Sequence, residues 1–306
     1  MALSTSVQMT NAALSAVRTA DRVSPALAAG IAGPMFERTR PSRVVHPSEQ
    51  PVHLAAERHP LPLPHGDGVL YEWGTGPRTV LLVHGWRGRA SQFAPIIREL
   101  RAAGFHLVAF DAPAHGDAAG RRTDIRSWVE AINRLHLEYG RFEAIIGHSL
   151  GALTTMTAVR DGVSTRGVVG LAPMSSGRYL FDAFAHGVGL SEQAAAIQRE
   201  RYTRRVFPDA SDPWRRFDTL AAPLPASVEL LLLHDREDRE IDAAQSELLH
   251  AAHGDRSRML LSSGSGHVRL LGADRTLDAV TAFVGGGVAA VDRIERGEER
   301  SVRTAA

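Results

Sequence analysis

Seven short apolar runs, separated by segments long enough for a helix, constrain the fold of this chain most strongly. They occupy residues 69–73, 79–83, 106–110, 142–147, 167–172, 228–234 and 259–262. Two intervening segments, 91–103 and 123–139, repeat apolar residues at spacings of three and four, and a glycine follows each. Strands that alternate with helices are typical of a parallel sheet covered on both faces. The sequence therefore predicts an α/β protein with a doubly wound, mostly parallel sheet.

One long interval interrupts this alternation. Residues 173–222 separate two predicted strands that a single crossover helix would ordinarily join, which predicts an inserted helical cap. The first residues are rich in alanine and compatible with a helix, whereas the proline-rich run 59–65 cannot sustain one. We expect residues 1–67 to form an N-terminal extension, residues 173–222 a cap and residues 286–306 a charged tail. The core then consists of two parts, residues 68–172 and 223–285.

Composition narrows the possible chemistry. The formal net charge of +1 gives no basic excess for a nucleic-acid partner. All basic residues are arginines and cysteine is absent, which excludes Schiff-base lysines, thiol nucleophiles and cysteine metal sites. The sequence contains neither a signal-peptide core nor the ~18 consecutive apolar residues of a membrane-spanning helix. We expect a cytoplasmic protein, without a membrane span, that acts on a small molecule.

Ser149 stands between two glycines in the sequence Gly147-His148-Ser149-Leu150-Gly151. This segment directly follows a predicted strand and precedes a helical stretch, the context that a nucleophile elbow requires. Small residues two before and two after the serine allow the sharp turn to pack. The alternative is an ordinary glycine-flanked turn with a surface serine, which the isolated motif does not exclude.

A second motif, His84-Gly85-Trp86, follows the predicted strand 79–83. An oxyanion hole needs two backbone donors, usually one after the nucleophile and one from such a loop. Leu150 and Trp86 are the candidate donors. We interpret His84 as a side chain that stabilises the turn rather than as a catalyst.

Candidates for the acid and the base of a catalytic triad follow the last two predicted strands. Asp235 and Asp238 lie in one acidic loop, and His267 lies in a glycine-rich loop further along the chain. An acid at this place would hold the tautomer of the histidine through a hydrogen bond. The order serine, acid, histidine is the chain order of hydrolases with this elbow. Either aspartate could instead belong to a surface turn.

Together these motifs, with the sequences Asp67-Gly68 and Asp111-Ala112-Pro113-Ala114-His115-Gly116, make residues 68–284 resemble the α/β-hydrolase superfamily and its capped bacterial esterase-like members. The resemblance implies a hydrolytic triad and an oxyanion hole without a cofactor. Many relatives have glycine at the position of Asp235, and on that register Asp238 is the acid.

The implied reaction is cleavage of a carboxylic ester through an acyl-enzyme on Ser149, with a small-molecule acyl substrate. A thioesterase or acyltransferase on the same triad is the alternative enzyme. A hydrolase-fold binding protein without turnover is the alternative from another class.

Side chains of the predicted cap have two interpretations. Phe181, Phe184 and Leu190 could line an acyl pocket or pack the cap onto the core. A cluster of arginines could attract an anionic substrate, although a solvated helix face is the simpler interpretation: Arg199, Arg201, Arg204 and Arg205. His250 and His253 have a spacing compatible with a metal site, but no His-Glu-x-x-His pattern accompanies them. We expect surface histidines and no metal.

Overall fold

An eight-stranded sheet forms the centre of the protein in this computed structural model, which describes residues 11–210 and 212–298. The strands are β1 (Glu57–Leu61), β2 (Gly68–Trp73), β3 (Thr79–Val83), β4 (His106–Asp111), β5 (Phe142–His148), β6 (Thr165–Leu171), β7 (Glu229–Asp235) and β8 (Ser257–Ser262). Their order is β1-β2-β4-β3-β5-β6-β7-β8. β2 is antiparallel to both neighbours, and all other pairs are parallel. The predicted fold class is confirmed.

Helices cover both faces of this sheet, and others form the insertion and the N-terminal segment. In chain order they are α1 (Asn11–Val23), α2 (Pro25–Phe36), α3 (Gln50–Leu54), α4 (Ala94–Ala102), α5 (Ile125–Tyr139), α6 (Leu150–Arg160), α7 (Gly177–Val188), α8 (Glu192–Val206), α9 (Pro213–Arg216), α10 (Ala244–His253), α11 (Gly266–Arg269) and α12 (Asp274–Glu295). Successive strand residues point to opposite faces, so Leu81 packs in a core with α5 and α6 while Leu82 packs in another with α4 and α12. None of the described helices has the length and apolar character needed to cross a membrane.

The insertion 173–222 contains α7, α8 and α9. Ser176 and Ser191 begin the two longer helices, and the hydroxyl of each accepts a hydrogen bond from a backbone N–H of the first turn. Such caps satisfy donors that have no partner within a helix. Gly189 ends α7 with a φ of 77°, a conformation that glycine adopts without strain.

Residues 11–67 are integrated into the fold, so the sheet begins before the predicted core limit at residue 68. β1 forms the edge of the sheet, where Pro60 is tolerated because an edge strand leaves one row of N–H groups unpaired. α1 and α2 pack on the inserted helices: Asp21 accepts hydrogen bonds from Ser191, and Arg201 donates to the Ala26 carbonyl.

The C-terminal helix extends beyond the predicted core limit at residue 285. α12 continues to Glu295 through a kink at Gly286 and Gly287, whose backbone angles are not helical. Ala290 and Val291 beyond the kink are buried, which explains why this segment is not part of a charged tail. Residues 299–306 of the predicted tail lie outside the described residues.

Candidate active site

Ser149 lies on a strained turn between β5 and α6. Its φ of 55° and ψ of −121° are unfavourable for a residue with a side chain. A Cβ atom on Gly147 would lie 2.5 Å from Cα of Ala152, and one on Gly151 would overlap the carbonyl oxygen of Val83. Both glycines are therefore required by close backbone packing. The serine side chain is mostly buried but lines a cavity beneath the inserted helices.

His267 and Asp238 are hydrogen-bonded to each other. Nδ1 of His267 donates to Oδ2 of Asp238 at 2.7 Å. The other carboxylate oxygen, Oδ1, accepts hydrogen bonds from the backbone N–H groups of Glu240 and Ile241 at 2.7 and 3.0 Å. Because Nδ1 carries the proton, Nε2 of His267 is left as the basic nitrogen.

The electrostatics of this pair favour an ionised aspartate. Burial alone would raise the pKa of Asp238, but hydrogen bonds from His234 and His267 lower it well below its usual value. Burial alone would lower the pKa of His267, but the hydrogen bond to Asp238 and the negative charges of Glu240 and Asp238 raise it. The histidine can therefore accept a proton beside a carboxylate that remains charged.

Asp235 occupies a different position in the same loop. Its carboxylate accepts hydrogen bonds from the Ser262 hydroxyl at 2.8 Å and from the backbone N–H groups of Glu237 and Ser265, both at 2.9 Å. Burial works against ionisation, but these hydrogen bonds lower the pKa of Asp235. Asp235 thus connects the loop after β7 to the start of α11, which carries His267, whereas Asp238 contacts the histidine itself.

Ser149 and His267 line the same cavity. Among the described residues, His267 is hydrogen-bonded to Asp238 and no hydrogen bond joins it to Ser149. Nε2 of His267 instead lies 3.8 Å from Oε2 of Glu240. Hydrogen bonds between a nucleophile and its base are often long until substrate binds. His148 holds the base from below: its Nε2 donates to the carbonyl oxygen of His267 at 3.0 Å, and its Nδ1 accepts from Gln92.

The loop after β3 passes directly against the elbow. A Cβ atom on Gly85 would lie 2.9 Å from Cβ of Ser149, so the glycine permits this close approach. Trp86 follows, lines the cavity and stacks on Trp128. Leu150 is the first residue of α6, and the first N–H groups of a helix have no partner within it. Both predicted oxyanion donors thus border the cavity at the nucleophile.

His84 is a buried structural side chain. Its Nε2 accepts a hydrogen bond from the backbone N–H of Ala112 at 3.0 Å, and its Nδ1 donates to the Gly85 carbonyl at 2.7 Å. Burial lowers the pKa of His84 to about 4, so the ring stays neutral. It connects the loops after β3 and β4, which agrees with the turn-stabilising role expected from the sequence.

The second of these loops is held by Asp111. Its carboxylate accepts hydrogen bonds from the backbone N–H groups of Ala90 and Asp117 at 2.7 and 2.8 Å, and from the Tyr71 hydroxyl at 2.9 Å. A Cβ atom on Gly116 would overlap this carboxylate. The motif from Asp111 to Gly116 therefore shapes the loops around the site.

The cavity has a volume of about 620 Å³, and aromatic side chains line the part that the inserted helices and the N-terminal segment form. This volume lies within the range of small-molecule sites. The inserted helices contribute Phe181, Phe184, Tyr202 and Trp214, and the N-terminal segment 35–44 contributes Met35 and Phe36 among others. Two of the three predicted cap residues, Phe181 and Phe184, thus line the cavity and also pack against neighbouring helices.

Leu190 does not belong to the cavity lining. It packs with Ile31 and with the buried Ala28 and Ala194, where α2 meets α8. The structure therefore gives Leu190 a packing position instead of the predicted place beside the substrate. The sequence offered no sign of this contact because Ala28 and Ile31 lie about 160 positions earlier in the chain.

Three of the four cap arginines form ion pairs with acidic side chains. Arg199 pairs with Asp182 and Arg204 with Glu200, while Arg205 forms an ion pair with Glu37. None of these arginines lines the cavity. His253, expected at the surface, is instead buried, and its Nε2 accepts a hydrogen bond from the backbone N–H of Leu224. The described residues contain no group of His, Asp or Glu side chains that could hold a metal.

Three features of the site were not predicted. His234, at the end of β7, has Nε2 3.3 Å from Oδ2 of Asp238 and donates to the Ile241 carbonyl. Glu240 faces the basic nitrogen of His267. His234 lies at the end of the strand before the acidic loop and Glu240 lies in that loop, whose composition was the available signal. The contribution of residues 35–44 had no local signal, because it depends on contacts between distant parts of the chain.

Comparison with known proteins agrees with this architecture. Residues 80–296 match the profile of a family described as the alpha/beta hydrolase family. No curated protein sequence matches the chain. An esterase from Pyrococcus furiosus has a similar structure, with 17% identity, a TM-score of 0.57, and coverage of 81% of this chain and 97% of the esterase.

Two further solved structures are similar in fold. Mouse alpha/beta hydrolase domain-containing protein 10 has 14% identity and a TM-score of 0.58, over 80% of this chain and 100% of the mouse protein. A thioesterase domain from the curacin biosynthetic pathway has 17% identity and a TM-score of 0.51, over 75% of this chain and 99% of that domain. At these identities the structures establish the fold, and the family profile extends over most of the sequence. The chain therefore belongs to the alpha/beta hydrolase family.

Proposed function

We propose that this protein is a serine hydrolase that cleaves carboxylic esters through an acyl-enzyme. The observation that carries the proposal is the hydrogen bond of 2.7 Å between His267 and Asp238, next to a cavity that also contains Ser149 on its strained turn. An ordinary surface turn would explain neither the strain nor the buried histidine–aspartate pair. We assign Ser149 as nucleophile, His267 as base and Asp238 as acid.

In the first half of the reaction, Nε2 of His267 removes the proton from the hydroxyl of Ser149 while the serine oxygen attacks the ester carbonyl. The negative charge that develops on the carbonyl oxygen is stabilised by the backbone N–H groups of Trp86 and Leu150. His267 then gives its proton to the departing alcohol as the carbon–oxygen bond breaks. Asp238 stabilises the transient imidazolium and keeps the proton of Nδ1 in place.

In the second half, His267 takes a proton from a water molecule that attacks the acyl carbonyl. Collapse of the tetrahedral intermediate returns this proton to Ser149 and releases the acid. The same triad would act on thioesters with a thiol as leaving group, and the fold shared with a thioesterase domain makes this the second candidate. We favour oxygen esters, which is the class that an esterase of the same fold indicates.

We predict that an apolar acyl chain binds along the aromatic part of the cavity. Each buried methylene contributes roughly 0.8 kcal/mol, about a fourfold gain in binding. For p-nitrophenyl esters of increasing acyl length, kcat/KM should therefore rise until a steric limit. Phe181→Ser and Phe184→Ser place a hydroxyl in this wall, and at least one should flatten the rise.

The steady-state parameters of the three proteins across the ester series test this prediction. Absence of ester hydrolysis by the native protein would contradict the proposed function. Identical length profiles in all three proteins would mean that the two phenylalanines only pack the helices together. A thioester series measured in parallel distinguishes the two candidate substrate classes.

We also predict that activity is lost as the pH falls. The pH at which this loss occurs should be higher than an ordinary histidine would give. His267 must be neutral to act as a base, and its pKa is raised above its ordinary value of 6.5. Protonation therefore begins at a higher pH, and kcat/KM is lost as the pH falls through this raised pKa. Replacement Glu240→Gln removes one of the negative charges that raise the pKa and should move the acidic limb to lower pH.

The measurement is kcat/KM against pH for the native protein and Glu240→Gln. Glu237→Gln is the matched control, because Glu237 belongs to the same loop but does not line the cavity. An acidic limb that stays at the same pH in all three proteins would refute the influence of Glu240 on His267.

A further inference from the structure

We infer that the N-terminal residues 35–44 form a second wall of the substrate cavity and that Phe36 limits the length of the acyl group. This inference rests on the proposed ester hydrolysis and extends it to specificity. This segment lies more than 100 residues before the nucleophile in the chain, and it lines the same cavity as Ser149.

Phe36 lies at the centre of an aromatic group that joins the N-terminal segment to the inserted helices. Its ring stacks on Phe181 with 4.2 Å between centroids. It also meets the rings of Phe184 and Tyr202 edge to face at 5.2 and 5.6 Å. All four side chains line the cavity. A side chain at this junction determines how much apolar space remains for a substrate.

The position of Phe36 is fixed by the packing of α2. Ala28, Ala29 and Ala32 of this helix are buried, and small side chains allow helices to approach closely. Glu37, directly after Phe36, pairs with Arg205 of α8 through both carboxylate oxygens. Because helix and following residue are both anchored to α8, Phe36 acts as a wall rather than as an exposed terminus.

The chain after α2 then crosses the site and is hydrogen-bonded to the loops that surround it. Nε1 of Trp86 donates to the carbonyl oxygen of Arg38 at 3.3 Å. Nη1 of Arg89 donates to the carbonyl oxygen of Arg43 at 3.1 Å. Nη2 of Arg40 donates to the carbonyl oxygen of Gly120 at 3.2 Å. The segment is thus attached to the same loop that supplies the proposed oxyanion donor.

If Phe36 limits the length of the acyl group, a smaller side chain should lengthen the preferred acyl group and a larger one should shorten it. Phe36→Ala enlarges the cavity, so the acyl length at which kcat/KM is maximal should increase by two or three methylenes. The ratio of kcat/KM for the longest ester to that for acetate should rise on the order of tenfold. Phe36→Trp fills part of the cavity and should shorten the optimum and lower the same ratio.

The test compares kcat and KM for p-nitrophenyl esters from acetate to decanoate in the native protein and both variants. Leu27→Ala is the matched control, because Leu27 is an apolar residue of the same helix that is exposed and does not line the cavity. Its length profile should equal that of the native protein. Fluorophosphonate labelling and the thermal midpoint are measured for every protein, so that loss of folding is recognised; if Phe36→Ala does not fold, Phe36→Leu replaces it with the same expected direction.

Opposite shifts of the optimum in the small and large variants would support the inference. Unchanged optima in folded, labelled Phe36 variants would overturn it while leaving the proposed function intact. If the fluorophosphonate labels the native protein but kcat/KM does not depend on acyl length, the inference also fails. If the native protein neither labels nor hydrolyses any ester, the proposed function itself fails and the inference fails with it.

Discussion

Replacement of Ser149 by alanine is expected to lower kcat for ester hydrolysis by roughly 10⁶-fold, because knocking out a triad serine removes covalent catalysis altogether. The change removes one oxygen atom, and the hydroxyl makes no hydrogen bond to His267 within the described residues. Alanine tolerates the strained backbone at this position as well as serine does. We therefore expect folding and thermal stability close to those of the native protein.

The measurement is the initial rate of hydrolysis at saturating p-nitrophenyl ester, with circular dichroism as a check of folding. Ser265→Ala is the control, because Ser265 lies in the loop before His267 but does not line the cavity. This control should retain activity. A folded Ser149→Ala variant with near-native kcat would place the chemistry on another residue.

Replacement of Asp238 by asparagine is expected to lower kcat on the order of 10³- to 10⁴-fold, because the amide cannot hold His267 in the tautomer with the proton on Nδ1. The negative charge that raises the pKa of His267 is also lost, so any remaining acidic limb should move to lower pH. The asparagine side chain has nearly the same shape as aspartate. The loss should therefore be one of catalysis more than of packing.

Asp235→Asn is the matched comparison, since the two aspartates lie in one loop. Asp235 contacts Ser262, Glu237 and Ser265 but not His267. Its replacement should lower the thermal midpoint but change kcat little. The opposite ranking of the two variants in kcat would transfer the role of the acid to Asp235.

The parts of the site that could be predicted from sequence are those that local geometry determines. The glycines around Ser149 are required by backbone contacts within the strand and helix that they join, so the motif itself contains the information. The predicted strands were found because a buried parallel strand is apolar on both faces. For the acid, spacing identified the loop but only the register of a resemblance ranked Asp238 above Asp235.

The parts that could not be predicted depend on contacts between distant segments. Nothing in the sequence near Phe36 indicates that its ring meets Phe181, nor that Leu190 faces α2 rather than the cavity. β1 was missed because its Pro60 argues against a strand unless the strand is at an edge, and the edge position is a property of the assembled sheet. The position of Glu240 beside His267 likewise depends on the path of a loop.

The most direct test of the account is to treat the native protein with a fluorophosphonate and to locate the adduct by mass spectrometry. Trypsin cleaves after Arg141 and Arg160, so the elbow lies in a single peptide of residues 142–160 that contains Ser149 as its one serine. We predict one phosphonyl group per chain, on Ser149, and no adduct in the Ser149→Ala variant. An unmodified native protein, or an adduct on a different residue, would contradict the assignment of Ser149 as the nucleophile.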